Sequence, residues 1–102
     1  MEFYVIAEEE IVIGFRFVGV DGAVAGSPDQ AREAFRAAID PGRAVRVLIL
    51  SEEVSSMIES DVLDWQASGE YPLIVEVPGL HGRMKGKQTL VDSIREAVGI
   101  HV

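Results

Sequence analysis

Apolar positions in this chain fall into short blocks separated by longer stretches with helical spacing. The blocks at residues 3–7, 23–25, 45–50 and 73–77 are too short for helices, and three of the four are rich in β-branched residues. They predict strands. Their nearly continuous apolar character, in place of in/out alternation, is that of strands covered on both faces. Ser27-Pro28-Asp29 then supplies an N-cap, a proline at the first helical position and an acid in the first turn. Ala31, Ala34, Phe35 and Ala38 follow at helical spacing until Asp40-Pro41-Gly42 stops the run.

After the third strand, Ser51 is placed to cap a helix opening with Glu52 and Glu53, whose buried stripe comprises Val54, Met57, Ile58, Val62 and Trp65, with Gly69 just past its end. A last helix is predicted over residues 88–98, with Leu90, Val91, Ile94 and Val98 on one face and Gly99 as terminator. Residues 9–19 are ambiguous. Ile11, Ile13, Phe15 and Phe17 alternate as in a strand, whereas Ile11, Phe15 and Val18 recur as in a helix. Helix is favoured, because a strand there would follow residues 3–7 across a turn of Glu8, Glu9 and Glu10 that lacks Gly, Asn or Pro.

Strand followed by helix four times over implies an α/β fold with right-handed crossovers. The expected architecture is a small flavodoxin-like or receiver-like domain, a four-stranded parallel sheet of order 2-1-3-4 with helices on both faces. No repeat or linker divides the chain, so residues 1–102 are read as one domain, with a receiver-like core at 1–78 and a loop plus C-terminal helix at 79–102.

Charge narrows the partners. Nine Lys and Arg against seventeen Asp and Glu give a formal charge of −8 over 102 residues, which disfavours nucleic acid and anionic membranes and leaves protein as the expected partner. The chain has no cysteine, which excludes thiolate catalysis, disulfides, iron–sulfur clusters and Cys-based zinc. No apolar run approaches the ~20 residues of a membrane span, and Met1-Glu2-Phe3-Tyr4 lacks the basic start of a secretory signal. The expected setting is cytoplasmic, without direct membrane insertion.

In such folds ligands gather at the carboxyl ends of strands one and three. There the sequence places Glu8, Glu9 and Glu10 beside Ser51, Glu52 and Glu53. Five clustered carboxylates suggest a magnesium site of phosphoreceiver type. Against that, Ser51 stands where the nucleophilic aspartate is needed, and no fifth strand offers a lysine for the phosphoryl charge. The alternative is that these acids cap helix N-termini and face water. His81 and His101 lie in no nucleophile-elbow context, and Gly14, Gly19, Gly79, Gly82 and Gly86 match neither Walker nor dinucleotide spacing. No catalytic residue, cofactor or metal site is expected.

A protein contact is more legible. Arg83, Lys85 and Lys87 put three of nine basic residues within five positions, with Leu80 before them and Met84 among them. This loop reads either as a solvated connection or as a docking segment for an acidic surface. With Leu90 and Ile94 of the last helix, these residues form the expected partner-binding set. Met57 and Trp65 are read as core.

Four stretches carry a resemblance spanning the chain. Gly14-Phe15-Arg16 closing on Val18-Gly19 is similar to the first-helix signature of the F subunit of the V-type and archaeal A-type rotary ATPases. Ile49-Leu50-Ser51-Glu52-Glu53-Val54 resembles that family's third strand and acidic helix start, Tyr71 through Gly79 its most distinctive segment, and Asp92 through Gly99 its C-terminal helix. The resemblance implies a helix over residues 9–19. It also implies a non-catalytic central-stalk component of a V/A-type proton- or sodium-translocating ATP synthase, bound to the coiled-coil D subunit inside the ring of A and B subunits, and binding no nucleotide. A helix of eleven residues would span only ~16 Å, so a far-reaching C-terminal extension is not expected. From a different class, the alternative is a divergent receiver-like signalling domain that binds magnesium or a kinase.

Overall fold

The computed structural model describes residues 2–79. Strands β1 (Phe3–Ala7), β2 (Asp21–Val24), β3 (Val47–Ser51) and β4 (Leu73–Val77) form one parallel sheet in the order β2-β1-β3-β4. Helix α1 (Glu9–Phe17) leads from β1 to β2, α2 (Pro28–Ala38) returns to β3, and α3 (Glu52–Met57) with α4 (Glu59–Ser68) leads to β4. Residues 9–17 are therefore helical, in agreement with the turn argument. The first crossover steps outward from β1 to β2, the second returns past β1 to β3, and the third continues in that same direction to β4. With right-handed crossovers, α1 covers one face while α2, α3 and α4 cover the other.

Two cores follow from this arrangement. On the three-helix face, Ile6, Leu48 and Leu50 meet Ala31, Phe35, Ala38, Val54, Ile58 and Val62. On the other, Val5, Ala7 and Ile49 meet Val12, with Ile11 and Phe15 packed alongside. Alternate residues of β1 thus point into opposite cores, which is why both parities of its sequence are apolar. The sheet also explains Gly22. A Cβ there would collide with the side chain and carbonyl oxygen of Val5, so β2 approaches β1 only with glycine at that register.

The start of α2 forms as its sequence predicts. Ser27 Oγ accepts from the Gln30 N–H at 3.2 Å while Gln30 Oε1 accepts from the Gly26 N–H at 2.8 Å, a reciprocal cap with Pro28 at the first helical position. At its far end a single 3-10 turn, Pro41–Arg43, is held by Asp40 Oδ1 accepting from the Gly42 N–H.

Three boundaries differ from the pattern reading. β2 starts at Asp21, because an edge strand needs no apolar run to pair. β3 starts at Val47 and not at Val45, since the N–H groups of Arg46 and Val47 both donate to the Glu2 carbonyl before regular pairing begins. The single helix expected after Ser51 is two helices, broken at Ile58 (φ −125°, ψ 36°). Ile58 is itself buried, so the Val54, Ile58 and Val62 stripe still faces the core. The core reading of Met57 and Trp65 agrees with their packing against this cluster. The helix predicted over residues 88–98 lies outside the described residues.

Candidate functional site

The carboxyl edge of the sheet brings the ends of β1 and β3 together. Ser51, fully buried, caps α3 by accepting from the Val54 N–H at 3.2 Å and donates its own proton to Glu8 Oε1 at 2.5 Å. Both capacities of the hydroxyl are thereby used in structure, with no imidazole beside it among the described residues. Glu8 Oε2 is buried without a hydrogen-bond partner there. One strand further, buried Ser55 donates to Glu76 Oε2 at 2.9 Å.

The carboxylates at this edge do not gather. Glu9 and Glu10 occupy the first turn of α1, Glu52 and Glu53 the first turn of α3, and all but the half-buried Glu52 are exposed. There they complement the positive helix ends. Among the described residues no group of three or more His, Asp or Glu side chains is arranged to hold a metal ion. Serine-to-carboxylate bonds at Glu8 and Glu76 thus tie β1 to β3 and α3 to β4. The Ser55–Glu76 pair escapes a pattern reading, although a glutamate inside the otherwise apolar run Leu73–Val77 is the signal that could have found it.

The amino edge is different. An open cleft of about 410 Å³ is bordered by Ile39, Pro41, Val45, Trp65, Tyr71 and Pro72. Trp65 meets Phe35 edge-on, with centroids 6.4 Å apart at 88°, and its Nε1–H donates to the Pro72 carbonyl at 2.8 Å. Arg46 lies over Tyr71 and Arg43 over Tyr4, each 5.4 Å from the ring centroid. These stacks are worth about 0.5–1 kcal/mol each at such exposed positions. Two polar side chains of the cleft are therefore occupied in structure, Arg46 on its ring and Asp40 on the Gly42 N–H.

Surface apolar residues are the remaining feature. Phe17 is 86% exposed and its neighbour Val18 74%, while Phe3, Leu73 and Val75 line a half-exposed strip along the α1 side of the sheet. The expected partner-binding residues Leu80, Arg83, Met84, Lys85, Lys87, Leu90 and Ile94, like His81 and His101, lie outside the described residues. No helix among the described residues is long and apolar enough to cross a membrane.

Comparison with known proteins gives this chain a family. Residues 3–98 match the family described as ATP synthase (F/14-kDa) subunit. The F subunit of the A-type ATP synthase of Pyrococcus furiosus is 25% identical over 107 residues, covering 100% of this chain and 98% of that protein. Its namesake from Thermococcus sibiricus is 23% identical over 108 residues, again covering 100% and 98%. The chain belongs to the ATP synthase (F/14-kDa) subunit family, an accessory and not a catalytic component of the rotary complex.

Proposed function

We propose that this protein sits in the central stalk of a V/A-type, proton- or sodium-translocating ATP synthase, bound to the long coiled-coil D subunit and turning with it inside the ring of A and B subunits. It would be peripheral to the membrane, attached only through the complex. The observation that carries the reading is the family match running from residue 3 to residue 98. Physical properties support it. A parallel sheet packed on both faces is a stiff body suited to transmitting or modulating torque, and close-packed interiors resist deformation. Such a module needs a partner patch in place of a reaction pocket.

Part of that patch is assigned to residues 78–87 and the C-terminal helix, where the sign of charge reverses and Leu80 and Met84 add apolar side chains. Co-expression with the D subunit followed by size-exclusion chromatography tests the reading, with a 1:1 complex expected. In a pull-down, Leu80→Asp with Met84→Asp should weaken capture by the D subunit. Unchanged capture would remove this segment from the interface.

A further inference from the structure

Helix α1 carries apolar side chains on both of its sides. Val12 is fully buried, with Ile11 and Phe15 packed beside it on the sheet. On the outward side Ile13 and Phe17, one turn apart, are 44% and 86% exposed. α2 shows the ordinary alternative, with Ala31, Phe35 and Ala38 buried and Asp29, Glu33, Arg36 and Ala37 facing water. The exposed side of α1 thus sets Ile13 and Phe17 among Glu9, Glu10 and Arg16, where a solvent-facing helix side is ordinarily polar. Gly14 lies next to the outward pair in the middle of the helix, with nothing within 4 Å of where its Cβ would be. Glycine inside a helix costs about 1 kcal/mol relative to alanine, and no contact within the described fold requires it. A missing side chain there lets a second backbone approach closely.

Charge indicates what kind of chain approaches. Exposed Glu9 and Glu10 stand at the amino end of the ridge, and Arg16, at the other end, is turned back onto its own chain by donating to the Gly22 carbonyl at 3.3 Å. The outward surface is therefore an apolar ridge with an acidic head. A second copy of this chain fits it poorly, since both carry a charge of −8. Nine residues span only ~14 Å, too little for the ~1,000 Å² of a stable interface, so the ridge must be one portion of a larger contact.

We infer that the outward face of α1, centred on Ile13, Gly14 and Phe17, docks against a helix of the coiled-coil stalk partner that presents apolar side chains to the ridge and basic ones to Glu9 and Glu10. This rests on the stalk reading proposed above and adds a surface separate from residues 78–87. The absence of native cysteine supplies the test. Phe17→Cys and, on the outer face of α2, Glu33→Cys are made in the full chain and alkylated with and without the D subunit. The thiol introduced at position 17 is expected to react rapidly in the free protein and at least tenfold more slowly in the complex, while the thiol at position 33 stays reactive in both. Phe17→Asp, its fold checked by circular dichroism, is expected to weaken the complex at least tenfold.

If the wild-type chain forms no complex with the D subunit, the stalk reading fails and this inference with it. If it does form one, yet the thiol at position 17 stays fully reactive and Phe17→Asp binds as wild type, only the α1 assignment is overturned. Protection of that thiol in the free protein would instead make a segment of this same chain the occupant, and would also overturn it.

Discussion

Ser51 illustrates how much one side chain holds at the edge of this sheet. At the last residue of β3, its hydroxyl caps α3 and satisfies one oxygen of the partly buried Glu8. Ser51→Ala removes the cap and leaves both oxygens of Glu8 without a protein partner among the described residues, so a loss of about 2–3 kcal/mol is expected from the two contributions. Urea unfolding followed by circular dichroism measures it. The cap was legible in the sequence as a serine before two acids, whereas the bond to Glu8 was not, because it joins residues 43 apart that only the sheet register brings together. Gly22→Ala provides a second residue-scale check. The collision with Val5 is with its backbone as well as its side chain, so β2 must shift, and a loss of about 1–3 kcal/mol is expected in the same assay.

At the scale of elements, helices on one face are fastened to one another and to the strand they precede. Arg32 Nε donates to Asp61 Oδ2 at 3.0 Å between α2 and α4, but both side chains are more than a third exposed. Asp61→Ala should therefore cost under about 1 kcal/mol. Ile58→Ala, at the buried break between α3 and α4, should cost about 2–5 kcal/mol by opening a cavity. Comparing the two by thermal unfolding separates surface pairing from core packing. Strand and helix order could be read from the apolar blocks, because both parities of β1 and β3 face a core. The break at Ile58 could not, since the stripe it interrupts continues in register on either side. β2 was only partly legible, because Asp21 and Gly22 pair through backbone groups that carry no hydropathy signal.

For the whole molecule, surface outweighs pocket. The acids read as a candidate magnesium site are spread over two helix N-termini, and Ser51 occupies the position a phosphoreceiver gives to aspartate. Incubation with a small phosphodonor and magnesium should leave no acid-labile phosphate on the protein. Incorporation on a carboxylate would favour the signalling alternative. What hydropathy could not mark was the exposure of Phe17, since apolar residues in a short helix look alike whether they face the sheet or a neighbouring chain. The same acidic composition that disfavours nucleic acid also weighs against self-association and favours a partner of complementary charge.

The central claim is most directly tested by light scattering on the full chain mixed with the purified D subunit during size-exclusion chromatography. The account predicts one peak with the mass of a 1:1 complex, running ahead of the isolated 11.1 kDa protein. Two peaks at the masses of the separate proteins, whatever the mixing ratio, would contradict it.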